Sequence, residues 1–221
     1  TTQAIDCQLN LLASAPPLKH GAPVHFHAGT AEVEAEVRML KGAGSLEPGS
    51  TGFLRLLLKE PLLLLPGDRF IVRMFSPVFT IGGGIVLDNA PSQSLKKHLA
   101  LERLPGLLNA TLPRRLALWA GEEPNGARVA DLAARAGAPP TEVLAAAEQA
   151  GLAVVKDPEP RLVSQSVLAE TLDRLKAALA EFHRKNPLLP GMPKSAAPGQ
   201  AYLIDAVLPT AREIAAEGEL S

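Results

Sequence analysis

Residues 66–73, PGDRFIVR, and residues 80–88, TIGGGIVLD, are the two stretches that decide the fold of this chain. The first opens with a Pro-Gly turn, after which Phe70 and Val72 alternate with outward positions, as in a half-buried strand. The second contains three consecutive glycines, Gly82, Gly83 and Gly84. Glycines let a backbone bend or be approached closely, and an Ile-Val-Leu run follows them. A strand, a glycine corner and a closing strand predict a small β-barrel.

Alternating strands recur throughout residues 1–91. Four segments precede the two above, at residues 5–11, 24–27, 32–39 and 52–59, and Gly- and Pro-rich turns separate them. Six short strands at regular spacing predict a closed, six-stranded antiparallel β-barrel over residues 1–91.

The composition changes after residue 91, where Ala, Leu, Glu and Arg at helical spacing take over. Helices are predicted at residues 112–120, at 128–136 and from Pro140, and residues 152–163 predict a hairpin. Three helices and a hairpin predict a winged helix over residues 92–164.

A second winged helix is predicted over residues 165–221. Ser166 is the predicted N-cap of a helix that ends at residues 186–187, and residues 202–216 are helical again. Residues 218–221 begin a strand that the chain does not complete, so this domain is expected to be truncated at its wing.

Composition excludes several classes of protein. The 221 residues carry a formal net charge of −1, whereas dedicated nucleic-acid binders usually have a basic surplus, so any RNA contact must be a local patch. The single cysteine, Cys7, and the absence of an apolar run of about 18 residues predict a cytoplasmic protein with no membrane span. The first residues show neither a basic region nor a methionine, which indicates a cut inside a longer protein.

Two stretches carry a family resemblance. Residues 66–88 resemble the third domain of elongation-factor-Tu-like translation factors, and within them residues 79–88 look most like the selenocysteine-specific elongation factors, SelB. Residues 182–193, FHRKNPLLPGMP, resemble a segment of the second winged helix in that family. After Lys194, the sequence SAAPG departs from the charged helix that the family usually has there.

The resemblance implies a role in translation and selenocysteine incorporation. The barrel would bind selenocysteyl-tRNA by its T-stem and acceptor arm. The winged helices would form a spacer towards modules, absent here, that bind an mRNA hairpin. The ribosome would be a further partner, and a monomer is expected.

No catalytic residue, metal or cofactor is predicted in this chain. It lacks the Gly-x-x-x-x-Gly-Lys-Ser/Thr loop, and no lysine follows the three glycines. The resemblance implies that GTP and Mg²⁺ bind in an N-terminal GTPase domain of the parent protein, so this chain is not expected to be an enzyme.

The predicted tRNA contacts lie on the barrel. By position in the family and by charge they are His25, His27, Thr30, Arg55, Lys59, Arg73, Ser76 and Pro77. Each charged or imidazole group can equally be a solvated surface side chain. A zinc site at His25 and His27 is disfavoured, because zinc needs at least three protein ligands.

A DNA-binding transcription regulator with a barrel as sensor is the alternative function, and a fragment of another translational GTPase is a third. The outward positions of the third helix in the first winged helix are Thr141, Glu142, Ala145, Glu148 and Gln149. Two glutamates and no cation repel phosphate, as do Glu213 and Glu217 beside Arg212 in the last helix. These surfaces favour the spacer over a DNA reader.

Overall fold

A computed structural model describes residues 1–40, 44–92, 97–157, 159–189 and 191–216. The chain divides into two compact units. The barrel unit comprises Thr1–Arg114 and Ala134–Ala138, and the helical unit comprises Arg115–Ala133 and Pro139–Ser221. The domain boundaries at residues 91 and 164 stay predictions.

Six strands form a closed antiparallel barrel, which confirms the predicted fold. The strands of the barrel unit are β1 (Thr2–Leu11), β2 (Leu18–Lys19), β3 (Pro23–Ala28), β4 (Ala31–Met39), β5 (Ser45–Leu46), β6 (Thr51–Leu62), β7 (Arg69–Arg73) and β8 (Thr80–Asp88). The barrel order is β1-β6-β4-β3-β7-β8, and β2 pairs with β5 outside it. Alternate residues point inward because successive side chains leave a strand on opposite faces. Ile5, Cys7, Leu9, Leu54, Leu56, Phe26 and Val72 fill the core.

Strand β8 is continuous through Gly82, Gly83 and Gly84, so the predicted glycine corner between two strands is wrong. The other expectation for these glycines, a close approach of the neighbouring backbone, is confirmed. A Cβ on Gly82 would lie 2.5 Å from the Asn10 carbonyl oxygen, and one on Gly84 would overlap the Gln8 carbonyl oxygen and lie 2.7 Å from Phe70 Cζ. The glycines therefore let β8 lie close against β1 and against the ring of Phe70.

Helices follow the barrel strands. They are α1 (Lys97–Leu107), α2 (Leu112–Gly121), α3 (Val129–Ala136), α4 (Pro140–Gln149), α5 (Gln165–Lys185) and α6 (Ala201–Ala216). Helix α1, which the sequence analysis did not predict, contacts β6 and β8. Its buried residues Ala100, Leu104 and Leu107 explain that position, because their spacing puts them on one helical face.

A buried ionic cluster lies within the barrel unit. Asp6 accepts two hydrogen bonds from Arg55, at 2.7 and 3.1 Å. Asp88 accepts two from Arg135, at 2.9 and 2.6 Å. Arg103 of α1 bridges the two carboxylates, with Nη2 at 2.9 Å from Asp6 and 2.7 Å from Asp88. Both aspartates are fully buried. Such carboxylates are stable only when hydrogen-bonded cations surround them, as they are here.

The pKa of Asp88 reflects this environment. Burial opposes its ionisation, but the hydrogen bonds from Arg135 and the charges of Arg135 and Arg103 outweigh burial and hold the pKa below its ordinary value. The carboxylate therefore stays ionised inside the protein.

The helical unit contains the sheet of the predicted winged helix. Strands β9 (Ala127–Arg128), β10 (Ala153–Asp157) and β11 (Glu159–Val163) form a sheet in the order β10-β11-β9, so the predicted hairpin is confirmed. Trp119, Leu132, Val143 and Leu162 are among its buried residues.

Helices α5 and α6 pack against each other through Leu175, Ile204, Val207 and Ala211. The N-cap of α5 is Ser164, not Ser166 as predicted. Its side chain accepts a bond from the Val167 amide at 3.4 Å, because Ser164 has the extended backbone that a cap requires.

The first turn of α6 also contacts the hairpin of the winged helix. Leu203 packs with Val155, Val163 and Val167, and the Tyr202 hydroxyl donates to the Asn125 carbonyl at 2.7 Å. The predicted strand at residues 218–221 lies outside the described residues.

Residues 192–197 pack against the helices α5 and α6, although the sequence there departs from the family. Met192 and Ala197 contact the core between α5 and α6, and a short 3₁₀ helix (Lys194–Ala196) lies between them. Lys194 pairs with Asp205 of α6 at 2.5 Å.

Candidate nucleic-acid interface

The predicted tRNA contacts fall on two separate parts of the barrel surface. His25 lies opposite Arg73 in the pairing of β3 with β7, whereas Arg55 and Lys59 lie on β6. Strand β4 separates β6 from β3 in the barrel order. Neighbouring strands thus bring His25, His27 and Arg73 together, but not Arg55 or Lys59 with them.

We call His25, His27, Arg73 and Phe75 the β3–β7 face. The His25 ring stacks on Phe75 with the ring centroids 4.0 Å apart. Glu32 of β4 reaches both imidazoles, at 3.3 Å from His25 Nδ1 and 3.7 Å from His27 Nδ1. The face therefore presents an aromatic stack and nitrogen donors, and the exposed carboxylate of Glu32 contacts both of its imidazoles.

Two donor-capable nitrogens of this face have no hydrogen-bond partner among the described residues. They are His27 Nε2 and Arg73 Nε, and both atoms are buried. A buried polar group without a partner is costly, and an anionic acceptor that reached the face could relieve that cost after a small side-chain rotation.

The remaining predicted contacts on this side are exposed loop residues. Thr30 lies in the turn between β3 and β4, next to Gly29, which has a φ of 59°. Ser76 and Pro77 follow Phe75 in the loop between β7 and β8, and the bond between them is cis. All three border the β3–β7 face in sequence, so a ligand on that face could reach them.

Arg55 serves a structural purpose. Its guanidinium is bound by Asp6 in the ionic cluster, and only 17% of its side chain is exposed. Sequence reasoning missed this pair because Asp6 and Arg55 are 49 residues apart and meet only through the register of β1 and β6.

An acidic row occupies β4. Glu32, Glu34 and Glu36 alternate with buried residues, so they share the outer surface, and Glu36 pairs with Arg38 at 2.9 Å. Ala35 lies opposite Leu58, which puts Glu34 beside the exposed Lys59 in the same register. A phosphate at Lys59 would thus meet carboxylates.

The outward positions predicted for α4 are exposed in the structure. Thr141, Glu142, Ala145, Glu148 and Gln149 all face solvent. The side chains of Arg212 and Glu213, and residue Glu217, lie outside the described part of the chain. Within the described helices α4 is therefore acidic where a recognition helix would carry cations.

No described residues form a metal site: no group of three His, Cys, Asp or Glu is close enough to hold an ion. No helix among the described residues has the length and apolar character that crossing a membrane requires.

Comparison with known proteins identifies the family. Residues 5–93 match the β-barrel domain of selenocysteine-specific elongation factors, and residues 176–197 match a winged helix of elongation factor SelB. The selenocysteine-specific elongation factor of Desulfomicrobium baculatum is 32% identical over 216 residues, which cover 86% of this chain. This chain belongs to the SelB family.

A solved structure agrees with the SelB fold. A bacterial selenocysteine-specific elongation factor, EF-Sec, superposes over 97% of this chain with a TM-score of 0.64 and 16% identity. The chain spans about a third of the length of these relatives, 31% of the first and 32% of the second. The alternative, a transcription regulator, has no support from these matches, which all lie with elongation factors.

Proposed function

We propose that this chain supplies the tRNA-binding barrel and a winged-helix spacer of a selenocysteine-specific elongation factor. The observation that carries the proposal is the β3–β7 face, where an imidazole stacked on an aromatic ring lies beside Arg73. Guanidinium groups and polar loop residues are the usual partners of RNA phosphates, and aromatic or imidazole rings can stack on exposed bases.

The other activities of such a factor are assigned to parts of the parent protein outside this chain. Gly82, Gly83 and Gly84 lie inside a strand and precede no helix, unlike a phosphate-binding loop, so we place GTP and Mg²⁺ in an upstream domain. The acidic surface of α4 supports a role as a spacer, and we assign binding of the mRNA hairpin to further modules of the parent protein. The ribosome and selenocysteyl-tRNA are the proposed partners, in the cytoplasm.

The test is an Arg73→Ala variant of the full-length factor, titrated with selenocysteyl-tRNA at several salt concentrations. Removing one phosphate contact should weaken binding and lower the slope of log K against log salt by about 1. Lys59→Ala is the matched control, since the neighbouring acidic row makes its expected effect smaller. Unchanged affinity and slope in Arg73→Ala would overturn the proposed interface. Arg55 is unsuitable for this test, because its replacement would also remove two hydrogen bonds from the buried Asp6 and weaken the fold.

A further inference from the structure

The three-stranded sheet of the helical unit is covered on both of its faces. Leu162 and Val163 are neighbours on β11, so their side chains leave the strand on opposite faces, and yet both are fully buried. On the face of Val163, Val155 of β10 and Val163 pack with Val167 of α5 and Leu203 of α6. The first turns of α5 and α6 therefore cover the face of the sheet on which Val163 lies.

The first turn of α6 adds polar contacts at the same place. The Tyr202 hydroxyl donates to the Asn125 carbonyl oxygen at 2.7 Å, in the turn that precedes β9. The guanidinium carbon of Arg161 on β11 lies 5.3 Å from the centroid of the Tyr202 ring, and Arg161 Nη1 donates to the Gly126 carbonyl oxygen at 2.8 Å. Tyr202 thus contacts the turn through its hydroxyl and β11 through its ring. We call Tyr202 and Leu203 the α6 latch.

Helix α5 leaves the sheet without a long linker. Strand β11 ends at Val163, and Ser164 already caps the first turn of α5. The Gln165 side chain donates to the Gly151 carbonyl oxygen at 3.1 Å. Leu168 packs both against the residues that cover the sheet and against the core between α5 and α6. Apolar packing therefore continues from the sheet into the helix pair.

We propose that the α6 latch holds the sheet and the helix pair α5–α6 as one rigid body, and that Tyr202 is the positioning residue of this joint. Apolar burial is not directional, whereas a hydrogen bond requires one geometry. Leu203 therefore supplies most of the attraction, and Tyr202 fixes where the first turn of α6 lies on the sheet. A rigid joint keeps whatever follows α6 at a set distance from the sheet, which a spacer must do.

This inference rests on the spacer part of the proposed function and does not involve the barrel. Val155 and Val163 are closed to any ligand while Leu203 covers them. The exposed glutamates of α4 are unfavourable to phosphate. The sheet and α4 together suit a part of the protein that holds position and does not bind nucleic acid.

Distances within the full-length factor test the latch. Spin labels are attached to cysteines introduced by Ala145→Cys in α4 and Ala180→Cys in α5, two exposed positions, and accessible cysteines outside this chain are first replaced by serine. Cys7 does not compete for the label, because it is buried and burial raises the pKa of its thiol. Pulsed electron-resonance spectroscopy then gives the distribution of distances between the two labels, and hydrogen exchange reports on the amides of β10 and β11.

Three substitutions in α6 are compared. Tyr202→Phe removes the hydroxyl and keeps the ring, and Leu203→Ala removes the apolar anchor. Leu208→Ala is the matched control, because Leu208 packs against the core between α5 and α6. If Leu203→Ala does not fold, Tyr202→Phe still decides, since it keeps every apolar contact of the latch.

We expect both latch variants to broaden the distance distribution, Leu203→Ala more than Tyr202→Phe. Exchange of the amides in β10 and β11 should become about five-fold faster in Tyr202→Phe, as for the loss of one hydrogen bond, and at least about thirty-fold faster in Leu203→Ala. Leu208→Ala should speed exchange within α5 and α6 but leave the sheet and the distance distribution unchanged.

Two results overturn the inference. If Tyr202→Phe and Leu203→Ala leave both the distance distribution and the exchange of β10 and β11 unchanged, α6 does not hold the sheet. If Leu208→Ala changes them as much as Leu203→Ala does, the rigidity comes from the pairing of α5 with α6 and not from the latch.

Titration with selenocysteyl-tRNA separates the latch from the proposed interface on the barrel. The latch variants should bind the tRNA as the unaltered factor does, and a loss of affinity would contradict the role as a spacer. If Arg73→Ala binds normally while the latch variants loosen the joint as expected, the interface on the barrel is wrong and the latch stands.

Discussion

Two sides of the same barrel differ in the charge that they present. Over β4 and β6 the outer surface carries the acidic row of Glu32, Glu34 and Glu36. Over β7, β8 and the adjoining part of β1 it carries Arg69, Arg73, amide side chains and glycine, and the carboxylates on these strands, Asp6 and Asp88, are fully buried. The inner positions are apolar on both sides, so the core does not decide this difference. It depends on which strands are neighbours.

The comparison also separates two arginines that look alike in the sequence. Arg55 and Arg73 both occupy outward positions on barrel strands. Arg55 meets Asp6 across the register and stabilises the fold, whereas the Arg73 Nε has no partner among the described residues. A cation on a strand is therefore a candidate for ligand binding only when no carboxylate on the next strand already holds it.

The largest expected effect comes from filling the glycine strand. Gly84→Ala would place a Cβ against the Gln8 carbonyl and 2.7 Å from Phe70 Cζ, so β8 would have to move away from β1. We expect a loss of barrel stability of about 4 kcal/mol, at the upper end for a single substitution. Hydrogen exchange of the amides in residues 70–73 and 85–87, which should be the slowest in the chain, measures it.

Gly121→Ala is the control for that substitution, because a Cβ there meets nothing within 4 Å. A Gly84→Ala protein whose barrel amides stay as protected as those of the control would mean that the strands are not as closely packed as the structure has them.

An intermediate effect is expected from acid on the ionic cluster. Because the pKa of Asp88 is lower in the folded protein than in the unfolded chain, its contribution to stability is complete above the unfolded value of about 4. It should be lost as the pH falls from about 4 through the folded pKa. Urea unfolding at a series of pH values between neutral and about 2 measures this loss.

Asp88→Asn should be less stable at neutral pH, because Arg135 and Arg103 lose their anionic partner, and its stability should depend less on pH below about 4. An acid dependence as steep as that of the unaltered protein would show that Asp88 is not the group responsible. Glu34→Gln, on the acidic row, is a control whose stability should change little.

The smallest effect is expected from the acidic helix. Replacing Glu142 and Glu148 of α4 by glutamine removes two exposed negative charges. If α4 is part of a spacer, these charges contact no ligand. We expect tRNA affinity and its salt slope to stay the same within error. A gain in affinity would indicate that RNA passes close to α4 and is repelled there, and a loss that the carboxylates take part in binding; either result would contradict a passive spacer.

Much of the fold could be predicted from the sequence because its signals are local. Alternation in residues 5–11 and 32–39 predicts strands with one buried side, and the structure confirms them. The helical spacing around Leu168, Leu172 and Leu175 likewise predicts α5. Helix α1 was missed because its amphipathic pattern is weak and its burial depends on the barrel that it covers.

The composition and periodicity of this sequence determined a six-stranded barrel followed by winged-helix modules, and its glycine and FHRKNP stretches determined the family. Only the tertiary structure decided which outward charges meet. Asp6 finds Arg55 and Arg103, Glu34 lies beside Lys59, and His25 lies beside Arg73, in pairs separated by 25 to 97 positions in the numbering. A strand pattern specifies which side of a strand faces out, but closure of the barrel chooses its neighbours. The charge on each face, and with it the place proposed for RNA, follows from that choice.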